Sequence, residues 1–164
     1  MEHATNYTQQ ATKAPEIEIY YKTAVNVEKR PVIKHPDDIC NIMYEIGEMN
    51  RNLQYKELFY ALYMNQANEI LAVHKISEGT TTAAPVDVKF IMQGAIMTNA
   101  TQLAICHNHP SGSTTPSRGD KQVTEKIKQA AALFFSPLSL LFVRDPLLRC
   151  WLPLPLDIPV ADHF

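Results

Sequence analysis

Two histidines two residues apart, His107 and His109, are followed after a turn-rich gap by Ser117 and Asp120. Neutral imidazole and carboxylate are ligands that suit zinc, and three protein ligands beside one open position form the catalytic zinc arrangement. In an extended segment residues i and i+2 point the same way, so His107 and His109 can reach one ion. The loop running from Gly112 through Thr115 and Pro116 can bring Asp120 back to complete the set.

These side chains need a strand to deliver them and a helix to follow. Gln102 to Cys106 reads as a short strand with the histidines at its carboxyl end, where open α/β sheets commonly bind ligands. A helix is expected to start at Ser117, a residue type that caps helices, with Asp120 at the capping-box position three residues on. Val123, Ile127 and Ala131 supply its buried stripe. Upstream, Ile39, Ile42, Met43, Ile46 and Met49 recur at helical steps, predicting one amphipathic helix from Asp37 onward. Leu58–Met64 and Ile70–Ile76 form a hairpin pattern across Asn65-Gln66-Ala67-Asn68. Residues 86–98 predict another helix, burying Val88, Ile91, Met92 and Ala95. Helix, hairpin, helix, strand, helix is the order of an α/β sandwich, with a mixed sheet expected. There are no internal repeats.

The chain has 164 residues, enough for one domain with a real core, and 46% of them are hydrophobic. No apolar run is long enough to cross a bilayer, and the first residues lack the pattern of a secretory leader, so no membrane role is expected. The three cysteines, Cys40, Cys106 and Cys150, are unpatterned and read as reduced thiols of a cytoplasmic protein. The net charge of -2, without a block of basic residues, argues against direct DNA binding through a broad basic patch.

The run His107, His109, Ser117 and Asp120 resembles the H-x-H-x7-S-x2-D signature of JAMM (MPN+) metalloproteases, and "AICHNHPSGSTTPSRGD" looks like their RadC branch. The similarity extends from Pro31 to Phe134 through "ELFYALYMN" and "EGTTTAAPVDVKFIMQGAIMTNATQ". It implies a cytidine-deaminase-like α/β sandwich whose central sheet is flanked by helices. It also implies one Zn2+ per chain on His107, His109 and Asp120, and hydrolysis of a peptide or isopeptide bond. In RadC-like sequences a glutamate near "REVF" acts as general base; here the matching text, Lys56-Glu57-Leu58-Phe59, gives that role to Glu57. By the same logic Ser117 stabilises the oxyanion. Proteins of DNA repair or of mobile elements are the partners that the resemblance suggests.

Plainer readings exist for each residue. Ser117 could serve only as a helix cap, and Glu57 only as a solvated strand-end carboxylate. Glu69 and Glu78 rival Glu57 by type, though not by motif context. Cys106 reads as buried rather than as a ligand, and His74 as structural. The chain lacks the H-x-E and P-C-x-x-C of zinc deaminases and the H-E-x-x-H of zincins. A contiguous His-Asn-His does not match HNH nucleases, whose motif residues are dispersed. Against the enzyme stands a non-catalytic interaction module with the same fold, or a DNA-repair accessory protein.

The expected organisation is an N-terminal arm over residues 1–30, a core over 31–135 and a divergent tail over 136–164. Longer RadC-like proteins look to carry a helical N-terminal region that is not expected here. Family pattern fades at Ser136, and Pro137, Pro146, Pro153, Pro155 and Pro159 are expected to prevent regular strand pairing in the tail.

Overall fold

Seven consecutive residues, Leu58–Met64, are buried along one strand, and the fold is arranged around them. The computed structural model describes residues 29–79, 85–113, 115–134, 139–144 and 148–154. The strand expected at Glu16–Tyr21 and nearly all of the N-terminal arm lie outside them.

The elements run in the order α1 (Pro36–Glu45), α2 (Gly47–Asn52), β1 (Leu58–Met64), β2 (Ile70–Glu78), α3 (Val88–Met97), β3 (Gln102–Asn108), α4 (Arg118–Ala131), β4 (Ser139–Arg144) and β5 (Leu148–Leu154). The strands form one sheet in the order β2-β1-β3-β5-β4. Alternation along β1 sorts its side chains to two faces. Leu58, Tyr60, Leu62 and Met64 join Ile39, Met43, Met49, Ala104 and Cys106 in the core beneath α1 and α2. Phe59, Ala61 and Tyr63 join Ile91, Ala95, Leu103, Ile105 and Ile127 beneath α3 and α4. Full burial of each Leu, Ile or Phe contributes about 1.5–3 kcal/mol, so two apolar layers on one sheet hold both helix pairs in place.

The α/β sandwich is as expected, but the pairing differs. Every ladder is antiparallel, where a mixed sheet was expected. The reason is topological. Both β2 and β3 run antiparallel to β1, so they are parallel to each other and joined by the α3 crossover, yet β1 lies between them.

The helix expected to run unbroken from Asp37 is two segments. Ile46 adopts extended geometry (φ -73°, ψ 102°) and serves as the C-cap of α1 and the N-cap of α2. The apolar stripe carries on to Met49 across this break, so periodicity alone conceals it. At the front of α1, His35 accepts the Asp37 N–H, and Asp38 closes the capping box on the His35 N–H at 2.7 Å.

The expectation of irregular pairing after Ser136 is also corrected. β5 pairs with both β3 and β4. Of the tail prolines only Pro153 falls in a described strand, opposite Leu140 and past Trp151, where the β3 ladder stops. Its missing N–H therefore interrupts no β3 bond. No helix among the described residues is long and apolar enough to cross a membrane.

Candidate metal centre

β3 and α4 converge on one point. His107 is the next-to-last residue of β3 and only 2% exposed. Its ladder partner Phe59 stacks on the imidazole, with centroids 5.6 Å apart and planes inclined by 14°. His109 lies one residue past the strand on the same face, and the two Nε2 atoms stand 2.8 Å apart. Asp120 approaches from the first turn of α4, with Oδ1 3.5 Å from His107 Nε2 and Oδ2 3.3 Å from His109 Nε2.

A capping box aims that carboxylate. Ser117 Oγ accepts the Asp120 N–H at 3.1 Å, and Asp120 Oδ2 accepts the Ser117 N–H at 2.6 Å. The same two residues that start the helix thus fix the third candidate ligand.

Electrostatics points the same way. Burial opposes the charged form of Asp120, but hydrogen bonds from His107 and His109 outweigh it and hold the carboxyl well below its usual range. The bond to Asp120 raises the pKa of His109 against desolvation, and the Ser113 carbonyl adds to the rise. His109 Nδ1 lies 3.0 Å from that carbonyl oxygen. A carbonyl only accepts, so Nδ1 carries a hydrogen and the neutral ring presents its Nε2 lone pair to the cluster. Two imidazole nitrogens do not face each other at 2.8 Å without a proton or a cation between them. Among the described residues, His107 Nδ1 is buried with no hydrogen-bond partner.

One ligand atom from each of His107, His109 and Asp120 lies within 4.8 Å of the others, forming a group that could hold a metal ion. Two nitrogens and a carboxylate oxygen are a donor set that fits zinc.

Glu57, Phe59, His109, Ser117, Asp120 and Val123 line a cleft of about 480 Å³. Glu57 immediately precedes β1, is 8% exposed and, by alternation, shares the face of Phe59. Its rivals are engaged elsewhere. Glu69 accepts from the Asn65 side chain at 2.7 Å, and Glu78 pairs with Lys56 and Lys75. Cys106 packs in the core under α1 and α2, on the sheet face opposite His107. His74 Nδ1 stands 3.5 Å from the Tyr63 hydroxyl, away from the cleft.

Three contributors escaped sequence reasoning. Phe59 and the Ser113 carbonyl orient the two imidazoles, and Asn108, fully buried, bridges β3 to the loop before β1. A carboxamide two residues beyond the apolar run Leu103–Cys106, in phase with Ala104 and Cys106, was the available signal for Asn108.

The family model for the RadC-like JAB domain matches residues 33–138. A UPF0758 protein of Flavobacterium johnsoniae is 39% identical over 111 residues, covering 67% of this chain and 46% of the relative. A UPF0758 protein of Methanosarcina mazei is 35% identical over 112 residues, covering 68% of this chain and 47% of the relative. UPF0758 protein YfjY of Escherichia coli is 37% identical over 78 residues, or 48% of this chain and 49% of that protein. The chain spans about half the length of these curated relatives.

Proposed function

The chain belongs to the RadC-like JAB domain family, and on that basis we propose that it is a zinc-dependent hydrolase that cleaves a peptide or isopeptide bond. The observation carrying this reading is the convergence of His107, His109 and Asp120 at a cleft that Glu57 and Ser117 also border. Zinc held there would supply Lewis acidity and lower the pKa of water to about 7.

The side chains divide the remaining work. Glu57, beside the cluster and shielded from bulk solvent, takes a proton from the attacking water and passes it to the leaving nitrogen. Water and amide thus become carboxylic acid and amine, with no covalent bond to the protein. Ser117 Oγ already accepts the Asp120 N–H through a lone pair, which leaves its O–H hydrogen free to donate to a developing oxyanion. Capping and oxyanion stabilisation are therefore compatible. Phe59, Val86 and Val123 give the cleft an apolar wall that limits competing water.

A panel of peptide and isopeptide substrates presented to zinc-loaded wild type and Glu57→Gln tests the reading. We expect hydrolysis by the wild type and none by Glu57→Gln, with zinc content equal in both. Loss of zinc from Glu57→Gln would make the glutamate a ligand or a structural group and would overturn the assigned mechanism. Stoichiometric zinc with no cleavage anywhere in the panel would favour the non-catalytic interaction module.

A further inference from the structure

The residue between the two histidines faces the other way, and its partners concern the proposed base. Strand alternation sends His107 and His109 to the cleft and Asn108 to the opposite face, where it is fully buried. Asn108 Oδ1 accepts the Leu58 N–H at 2.8 Å, and Nδ2 donates to the Lys56 carbonyl at 2.8 Å. These groups belong to the two peptide units on either side of the Glu57 Cα. The same Nδ2 reaches the carbonyls of Leu53 at 3.0 Å and Asn52 at 3.2 Å, anchoring the turn that leaves α2. The Glu57 carbonyl in turn accepts the Gly79 N–H at 2.8 Å.

We propose that Asn108 is the positioning residue for Glu57: one carboxamide clamps both peptide groups flanking the base to the strand that carries the histidines. The inference rests on the reading of Glu57 as general base. The Gly79 bond already holds the peptide unit after the Glu57 Cα, and Asn108 adds the unit before it and ties both to β3. Peptide planes fixed on both sides restrict φ and ψ at residue 57 and keep its carboxylate in register with His107 and His109. Neither a carboxylate nor an apolar side chain can replace the amide, since the site demands one acceptor and a donor facing three carbonyls.

The test uses Co2+ in place of zinc, whose visible absorption reports on groups beside the ion. Wild type, Glu57→Gln, Asn108→Ser, Asn108→Ala and Glu57→Gln/Asn108→Ser are compared for metal content and spectrum. We expect one Co2+ per chain throughout, a changed spectrum for Glu57→Gln, the same change for Asn108→Ser, and no further change in the double variant. Asn108→Ser with full metal and a wild-type spectrum would overturn the inference while leaving the Glu57 reading intact. A Glu57→Gln spectrum identical to wild type would remove that reading, and the inference with it. Asn108→Ala should match Asn108→Ser if it folds. Should neither fold, the wild type decides through hydrogen exchange: the Leu58 amide must be as protected as the centre of β1, and loop-like exchange would refute the clamp.

Discussion

Phe59 and His107 are ladder partners across β1 and β3, their rings in near-parallel, offset planes with centroids 5.6 Å apart. The contact joins the apolar core under α3 and α4 directly to the candidate metal centre, because Phe59 belongs to that core and also lines the cleft. Orientation of a candidate ligand here depends on packing as much as on hydrogen bonding.

Replacing Phe59 by leucine keeps an apolar side chain but removes the stacked face. Aromatic contacts of this kind are worth about 0.5–1.5 kcal/mol beyond area burial. We expect zinc affinity to fall by up to about ten-fold with stoichiometry preserved, measured by competition with a chromogenic chelator. Unchanged affinity would show that the stack contributes nothing to ligand orientation.

Ser117→Ala should act at two levels. Loss of the cap on α4 is expected to cost about 1 kcal/mol of stability, and loss of the oxyanion donor about 100- to 1,000-fold in turnover. Ser117→Thr, which retains both the acceptor and the O–H, should recover most of each. Thermal unfolding and steady-state hydrolysis separate the two, and a change in stability alone would reduce Ser117 to a cap.

Acidity should oppose metal binding. His109 is held above its ordinary 6.5, first by its bond to Asp120, so a proton competes with the cation over a wider pH range than for a free histidine. Zinc affinity should fall as pH drops through that raised value. The metal-free protein behaves with the opposite sign. Stability from the raised His109 is fully present below 6.5 and is lost as pH rises through the folded value. Asp120 contributes stability above its ordinary 3.8, lost only as pH falls towards its depressed folded value. Melting curves of metal-free and zinc-loaded protein should therefore diverge as pH rises past 6.5.

Gly94 marks a close approach of α3 to β1. A Cβ at this position would overlap the hydroxyl and ring of Tyr63, which is 1% exposed and held by a 3.1 Å bond to the Ile91 carbonyl. The ring or the helix must shift to make room, so Gly94→Ala should destabilise the protein by about 1–3 kcal/mol, as overpacking does. A denaturant midpoint equal to wild type would show that α3 can shift at no cost.

Local chemistry made much of this legible in advance. The capping box at Ser117 and Asp120 needs only residues three apart, and it appears as expected. The hairpin of Leu58–Met64 with Ile70–Ile76 followed from two apolar runs around a short polar turn, and its second strand runs on to Glu78. The break at Ile46 did not, because its apolar stripe is continuous on both sides. Antiparallel pairing throughout the sheet was hidden because it depends on which strand fills the gap between β2 and β3. The partners of Asn108 lie 50 to 56 residues away. No periodicity encodes such contacts, so a carboxamide that clamps the proposed base read simply as the middle residue of His-Asn-His.

Metal content of freshly purified protein, compared between wild type and His107→Ala/His109→Ala, decides whether these residues form a zinc site. We expect about one zinc per wild-type chain and none in the double variant, both chains folded. A well-folded wild type that neither retains zinc nor takes it up when offered would contradict that expectation.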